Sequence, residues 1–193
     1  WYENNGAANP TFTAANIVTN LDHAYGVYIH DLDGDGDQDI IAASTYDDKI
    51  TWLENNGAAD PTFAATTIAT SADGPRDVFV ADIDSDGDMD IVAASREDNT
   101  ISWYENNGAA YPSFTAADIA TNAVYAHGIF AADMDGDGDI DIISASETDD
   151  KIAWYENDGA ANPTFTYASI ATTADEASDI QVADVDGDGD LDI

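Results

Sequence analysis

Four aspartate-rich segments of the chain share the pattern Asp-x-Asp-x-Asp-Gly-Asp-x-Asp. In the first, Asp31, Asp33 and Asp35 fall at positions 1, 3 and 5, Asp39 falls at position 9, and the backbone carbonyl of Asp37 is available at position 7. Calcium takes six to eight oxygen ligands with loose geometry, and short loops with carboxylates at alternate positions supply them. The glycine at position 6 permits the sharp turn that such a loop needs. The pattern therefore predicts Ca²⁺ as cofactor, one ion per segment and about four per chain.

The candidate metal ligands are the twenty aspartates of these four loops. They are Asp31, Asp33, Asp35, Asp37, Asp39, Asp82, Asp84, Asp86, Asp88, Asp90, Asp133, Asp135, Asp137, Asp139, Asp141, Asp184, Asp186, Asp188, Asp190 and Asp192. An EF-hand would carry a bidentate Glu at position 12, where this chain has Ala42, Ala93 and Ser144. Five carboxylates in nine residues repel one another unless a cation lies among them. A calcium loop between two strands is therefore favoured over a solvated acidic turn.

The four loops lie 51 residues apart, which marks a chain of repeated supersecondary units. Cutting at the four tryptophans gives repeats 1–51, 52–102, 103–153 and 154–193, the last of which lacks about eleven residues. Each repeat holds four short strand signals separated by turns, and no segment has a sustained helical period. This pattern predicts an all-β chain, a β-propeller of four-stranded blades with about four blades.

The phase of the repeats suggests how the ring is completed. The chain begins in the third strand of a unit and ends as it enters the second strand of another. Residues 182–193 are therefore expected to pair with residues 1–20 as one mixed blade, which would hide the sheet edges of a single four-bladed domain. Two alternatives stay open: the chain is part of a longer array, or two copies form one larger ring.

The composition excludes several classes of partner. Forty acidic residues face four basic ones, giving a net charge of −36, so nucleic acid and anionic lipid are poor partners. The absence of cysteine excludes a disulfide framework, and no signal peptide or membrane span is visible. Weak calcium loops suit a compartment rich in calcium, so an extracellular or cell-surface location is expected.

The loop motif between two strands, followed by a strand of the type Trp-Tyr-Glu-Asn-Asn-Gly, resembles the FG-GAP/VCBS repeat family. The resemblance covers the whole chain and implies an integrin-α-like propeller with calcium loops between the first and second strands of each blade. Propellers of that family usually have seven blades, more than this chain supplies. The literal Phe-Gly and Gly-Ala-Pro motifs are absent, so the resemblance depends on the calcium loop.

Two connections vary between repeats while the loops and the tryptophan strands barely change. These are the segment before the first strand and the turn after the second strand, which emerge at the same end of an up-and-down blade. We expect this end to carry the ligand-binding face, although neutral drift of exposed loops is an equal alternative. The candidate residues are His23, Tyr25, Tyr46, Arg76, Arg96, Tyr125 and His127.

The remaining conspicuous residues are assigned to structure. The four tryptophans recur at one phase of a strand, which favours packing between blades over stacking on a carbohydrate. The pairs Val27/Ile29, Val78/Val80, Ile129/Ala131 and Ile180/Val182 are predicted to be core. No catalytic motif is visible, so no catalytic residue is assigned and an enzyme is not expected.

The function favoured by these patterns is an adhesion or binding module for a protein or glycan. The alternatives are a propeller glycosidase or polysaccharide lyase, since carboxylates abound, and a structural repeat that assembles into larger rings or surface layers.

Overall fold

The structure, a computed structural model, describes all 193 residues and contains fourteen β-strands and no helix. The strands are β1 (Tyr2–Asn4), β2 (Phe12–Ala14), β3 (Ala24–His30), β4 (Asp39–Ser44), β5 (Lys49–Asn55), β6 (Phe63–Ala69), β7 (Pro75–Ala81), β8 (Asp90–Ser95), β9 (Thr100–Asn106), β10 (Phe114–Ala120), β11 (Ala126–Ala132), β12 (Asp141–Ser146), β13 (Lys151–Asn157) and β14 (Phe165–Ala171). None of the chain forms a helix that is long and apolar enough to cross a membrane.

The strands form three antiparallel four-stranded sheets, which we call blades 1, 2 and 3. Their orders are β3-β4-β5-β6, β7-β8-β9-β10 and β11-β12-β13-β14. The first strands of successive blades, β3, β7 and β11, contact one another and line the axis around which the blades are arranged. This is the up-and-down arrangement of a β-propeller, and it confirms the all-β fold and the four strands per blade.

Each blade is covered by its neighbours along an apolar seam. Between blades 1 and 2, Ile41, Ile50 and Trp52 of blade 1 pack against Val78 and Val80 of blade 2. The same positions, one repeat further along, form the seam between blades 2 and 3. Because each blade buries one side against the next, the period of 51 residues is a period of core packing as well as of sequence. The predicted packing role of the tryptophans is met by Trp52 and Trp103, which are buried.

The two ends of the chain each form half of a blade. At the N-terminus, β1 and β2 pair as a hairpin that corresponds to the third and fourth strands of a blade. At the C-terminus, residues 177–193 correspond to the first and second strands, and a single bridge joins Ala183 to Asp192. No sheet joins the two ends, so the chain forms a partial ring.

One of the predicted core pairs is wrong in this partial ring. Val27 and Ile29 are 62 % and 60 % exposed, whereas the equivalent Val78 and Val80 of blade 2 are buried. The physical reason is that the first strand of each blade is covered by the inner strands of the preceding blade. Only the outer hairpin of a preceding blade is present beside blade 1.

Candidate ligand-binding and metal sites

The four aspartate loops connect the first and second strands of each repeat and bring their carboxylates together. Oxygens of three aspartates lie within 4.8 Å of one another in each loop. The four clusters are Asp31–Asp33–Asp39, Asp82–Asp84–Asp86, Asp133–Asp135–Asp137 and Asp184–Asp186–Asp192. Twelve of the twenty predicted ligands are therefore already gathered in threes, in every loop.

The first aspartate of each loop organises the turn. Gly36 N donates to Asp31 Oδ2 at 2.9 Å, and the equivalent bonds recur as Gly87 N to Asp82 at 3.1 Å and Gly138 N to Asp133 at 3.0 Å. The other oxygen of Asp31, Oδ1, is buried without a hydrogen-bond partner. A buried carboxylate oxygen without a donor is unfavourable unless a cation completes it. The first loop therefore fits a bound cation, while in the other three the equivalent Oδ1 accepts from backbone N–H groups of the loop.

The electrostatics of the loops lead to the same conclusion. Burial raises the pKa of Asp33 and of Asp84, and neighbouring carboxylates raise both further. A raised pKa means that the folded chain disfavours the charged form of these groups. A divalent cation would reverse this by favouring the ionised carboxylates.

The aspartate at position 9 of the loop holds the loop against its blade. Asp90 is buried, and its carboxylate accepts hydrogen bonds from Asn106 N at 2.7 Å and Ile83 N at 3.2 Å. It thereby ties the loop to the end of the third strand of its own blade. Burial raises the pKa of Asp90 to about 7, while these backbone bonds and the nearby Trp103 indole oppose the rise. The indole N–H itself makes no hydrogen bond of good geometry.

The aspartate at position 7 turns away from the loop centre. The carboxylates of Asp37, Asp88 and Asp139 lie against the backbone of Gly57, Gly108 and Gly159, in the turn after the third strand. A Cβ at any of these glycines would overlap the carboxylate. The side chain at position 7 thus packs on the turn. The oxygen that the sequence pattern assigns to the ion at this position is the backbone carbonyl.

The opposite end of the blades carries the two variable connections. They are hydrogen-bonded to each other in every blade, as in Thr45 N to His23 O at 3.0 Å and Arg96 N to Gly74 O at 3.1 Å. His23 and Tyr125 hold left-handed backbone conformations there, with φ of 56° and 59°. The same position is left-handed in Gly74 and Glu176 as well, with φ of 63° and 53°, so this conformation belongs to the turn that all four repeats share.

Three of the predicted ligand-face residues meet at the axis, in what we call the axial cavity. Tyr25, Arg76 and His127 occupy the same position in three successive repeats. Tyr25 Oη lies 3.2 Å from His127 Nε2, and the Arg76 guanidinium lies over the Tyr25 ring at 4.6 Å. The cavity is about 280 Å³ and is lined by Tyr25, Gly26, Arg76, Asp77, His127, Ser178 and Asp179.

Arg76 lies at the axial cavity and, unlike two of the other three cations of this chain, forms no ion pair. Arg96 pairs with Glu97 and Glu147, and Lys151 pairs with Asp149. Arg76 forms no ion pair, although the chain contains 40 acidic residues. Its Nε is buried without a hydrogen-bond partner. A guanidinium without an ion-pair partner at a cavity is suited to donate hydrogen bonds to an oxygen-rich ligand group.

Asp77 lines the same cavity, and its carboxylate is held by the backbone. Oδ1 accepts from Val78 N at 3.0 Å, and Oδ2 accepts from Ile129 N of the next blade at 3.1 Å. Burial raises the pKa of Asp77 to about 6, and the nearby Asp179 adds to the rise. Because both oxygens already bind backbone donors, this carboxyl links two blades rather than facing a substrate.

The other four predicted ligand-face residues form two pairs outside the lining of the cavity, one of them beside it, since the His23 ring lies 6.1 Å from that of Tyr25. His23 stacks on Tyr46 with ring centroids 4.4 Å apart. Arg96 lies over the Tyr125 ring at 4.4 Å. The predicted face is therefore a central cavity with two flanking aromatic pairs.

The sequence interpretation missed Asp77, Ser178 and Asp179 as cavity residues. One signal was present: the position after Tyr25 alternates Gly26, Asp77, Gly128 and Asp179 in otherwise uniform repeats. The structure explains the alternation, because a Cβ on Gly26 or Gly128 would overlap the backbone of the following blade.

Comparison with protein families matches the FG-GAP-like repeat to residues 31–93, 82–144 and 133–193. The chain belongs to the FG-GAP-like repeat family. Each match runs from one aspartate loop through the next, so the family pattern includes the loops together with the strands between them. No curated protein matches this FG-GAP chain.

Two solved structures share its fold. One is an Agrocybe aegerita lectin described as recognising non-reducing terminal N-acetylglucosamine, with a TM-score of 0.62, 22 % identity, and coverage of 96 % of this chain and 52 % of the lectin. The other is a streptogramin B lyase, with a TM-score of 0.56, 14 % identity, and coverage of 93 % of this chain and 48 % of the lyase. The FG-GAP chain thus spans about half the length of these two structures.

Proposed function

We propose that this FG-GAP chain is a non-catalytic, calcium-binding extracellular module that binds a glycan or a glycan-bearing protein at the axial cavity. The observation that carries the proposal is the convergence of Tyr25, Arg76 and His127, one from each of three repeats, around a polar cavity. These three residues lie in a connection that varies between repeats, and the meeting of three different polar and aromatic side chains around one cavity favours a specific ligand over drift.

The chemistry of the cavity suits a saccharide. The Tyr25 ring offers an apolar surface and the Arg76 guanidinium beside it offers polar groups, while both ring nitrogens of His127 are held by Tyr25 Oη and Ser178 O and position the Tyr25 hydroxyl. Sugars present hydroxyls and one apolar ring face, so they use such mixed sites. A volume of about 280 Å³ is near the lower end of small-ligand sites. The similarity to a lectin supports the proposal through the fold alone.

Calcium would bind at the opposite end of each blade. The loop carboxylates would hold it, and its charge would remove their mutual repulsion and stiffen the turn between the first two strands. Such sites bind at roughly millimolar calcium in extracellular modules, which is the basis for proposing that location.

A glycosidase or lyase is disfavoured by the cavity itself. Its one carboxyl with a pKa near neutral, Asp77, has both oxygens engaged by backbone N–H groups. A general acid needs a free oxygen within reach of the leaving group.

The proposal is tested by screening immobilised glycans in millimolar calcium and then measuring the affinity of variants by calorimetry. Arg76→Ala and Tyr25→Ala should each weaken binding at least about tenfold, since each removes a direct contact worth about 1.4 kcal/mol or more. Arg96→Ala, at a flanking pair, is the matched control and should leave affinity within about twofold. Full binding by an Arg76→Ala/Tyr25→Ala double variant would contradict the assignment of the cavity.

A further inference from the structure

A row of four side-chain rings crosses the variable end of the molecule, from the outer turn of blade 1 to the axial cavity. Tyr46 stacks on His23 with ring centroids 4.4 Å apart and an interplanar angle of 16°. The His23 ring lies 6.1 Å from the Tyr25 ring, which lies 5.2 Å from the His127 ring. Since Tyr25 and His127 line the axial cavity, the row leads directly out of it. We call the stacked pair of His23 and Tyr46 the blade 1 platform.

Two tyrosines of this row are open to solvent. Tyr46 is 68 % exposed and Tyr25 is 50 % exposed. Apolar side chains scattered singly over a surface are ordinary. These two instead belong to one row that ends at a polar cavity. Aromatic rings next to a few polar groups are the combination that small-ligand sites use, so the row extends the surface available to a ligand of the cavity.

The backbone of the two variable connections holds the platform in place. Thr45 N donates to His23 O at 3.0 Å, and Tyr46 N donates to Asp22 O at 3.4 Å. The Asp47 carboxylate also accepts from Asp22 N at 2.8 Å. Because these bonds join the residues on either side of both rings, the stack exists before a ligand arrives. A preformed surface loses little conformational entropy on binding.

Blades 2 and 3 carry no equivalent platform. In the second repeat, the two positions of the platform hold Gly74 and Glu97, neither of which has a ring. In the third repeat a tyrosine is present, Tyr125, but the Arg96 guanidinium lies over its ring at 4.4 Å and also pairs with Glu147. Among these three blades, the row of rings therefore leaves the axial cavity in one direction, toward blade 1.

The charge around the row limits the chemistry of its ligand. Asp22 and Asp47 lie beside the platform, and Asp77 and Asp179 outnumber Arg76 among the residues that line the cavity. The net charge of the chain is −36. Such a surface repels an anionic polymer, such as a uronate-rich or sulfated glycan, and does not repel an uncharged sugar chain. The row therefore favours a neutral ligand.

We infer that the ligand is a neutral oligosaccharide, with one sugar unit in the axial cavity and the following units on the blade 1 platform. The inference rests on the proposed function, because it extends the same site by a second contact surface. A cavity of about 280 Å³ holds a single sugar unit, so a longer chain must continue outside it. Each unit presents hydroxyls at its edge and an apolar ring face. The cavity meets the hydroxyls of the first unit, and the rings of the platform meet the apolar faces of the next.

The dependence of affinity on chain length tests this inference. Neutral homo-oligomers of glucose, mannose, galactose, xylose and N-acetylated hexosamines, from one to five units, are titrated by calorimetry in millimolar calcium, with uronate oligomers beside them. In a neutral series that binds, affinity should rise roughly threefold to tenfold between one and three units, the gain expected for one aromatic contact. Binding without this rise, or binding by uronate oligomers alone, would overturn the inference and leave the proposed function standing. No binding by any glycan would overturn both.

Variants of Tyr46 show whether the platform supplies the gain. Tyr46→Ala should abolish the rise with chain length and leave the affinity for the single sugar within about twofold, because Tyr46 lies outside the lining of the cavity. Tyr46→Phe keeps the ring and should keep the rise. The matched control is Tyr111→Ala, which removes a tyrosine that is 86 % exposed in the turn after the third strand of blade 2. A rise that survives Tyr46→Ala would refute the inference.

The three histidines of the chain give an independent measurement of where each sugar unit lies. His127 lines the cavity, His23 belongs to the platform, and His30 lies at the opposite end of β3, where its Nδ1 is 3.1 Å from Asp31 O. In NMR spectra, the single sugar of the binding series should shift the imidazole signals of His127 alone. The trisaccharide should shift those of His127 and His23, with His30 unchanged as the internal control. His23 signals that no oligomer shifts would contradict the platform, and His127 signals that no sugar shifts would contradict the cavity itself.

Discussion

At the scale of single residues, two glycines in and beside the aspartate loops restrict substitution for different reasons. One lacks space for a Cβ, and the other requires a left-handed backbone. Gly108 and Gly136 both have positive φ, 63° and 77°. Around Gly136 there is open space, and the equivalent position in the second loop is occupied by Ser85 with φ of 60°. At Gly108 a Cβ would overlap the Asp88 carboxylate.

This difference predicts unequal costs for the same substitution. Gly136→Ala should lower the free energy of unfolding by about 1 kcal/mol, the cost of a left-handed backbone for a residue with Cβ. Gly108→Ala should cost more, by up to about 1 kcal/mol, because the end of the Asp88 side chain must also move aside. Urea unfolding of both variants in saturating calcium makes the comparison. Equal losses would show that Asp88 moves aside freely.

At the scale of elements, the last aspartate of each loop fastens the loop to its blade. Asp141 is buried and accepts from Asn157 N at 2.8 Å and Met134 N at 3.1 Å. Asn157 in turn donates from Nδ2 to Ile83 O of the preceding blade at 2.9 Å. One carboxylate thus holds the loop, the third strand and, through Asn157, the neighbouring blade.

Removing this carboxylate should therefore matter only where the blade is complete. Asp141→Ala should lower the free energy of unfolding by about 2–5 kcal/mol, since two buried N–H groups lose their acceptor. Asp192→Ala is the matched control, because Asp192 is exposed and joined to its own loop alone. Its loss should be under about 1 kcal/mol.

The two variants are best compared by urea unfolding in chelator, which removes any contribution from bound cations. Similar losses for both would mean that the hydrogen bonds of Asp141 contribute little, and that the loop is held by packing of its apolar residues instead.

At the scale of the whole molecule, the charge balance sets how stability depends on pH. The net charge is −36, and burial raises the pKa of several aspartates, to about 6 for Asp77 and about 7 for Asp90. The pKa of Asp158 is lowered, because Thr164 donates hydrogen bonds to it. A group whose pKa is raised in the folded state stabilises that state fully below the ordinary carboxyl value, and this contribution is lost as pH rises through the folded value.

In chelator, the melting temperature should therefore fall as pH rises from about 4 to about 7. Excess calcium should oppose this fall, because a cation bound to the folded loops stabilises them through mass action when the carboxylates are ionised. Thermal scans across this pH range, with chelator and with calcium, measure both curves. Stability that rises with pH in chelator would contradict the raised pKa values, and identical curves would contradict calcium binding.

The sequence determined the features that depend on local pattern. The period of 51 residues, the four strands of each blade, the absence of helix and the position of the aspartate loops all follow from spacing and alternation within one repeat. These were predicted correctly because strand pairing within a blade joins residues close in sequence. The two variable connections also lie at the same end of each blade, because its strands run alternately up and down.

Only the tertiary structure decided what lies between repeats. It brought Tyr25, Arg76 and His127 into the lining of one cavity and stacked His23 on Tyr46 beside that lining, although all five belong to the same predicted face. It also exposed Val27 and Ile29, which have the same apolar character as their buried equivalents. The physical reason is that burial at a seam depends on the neighbouring blade. The residues of a strand do not themselves show whether another blade packs against them.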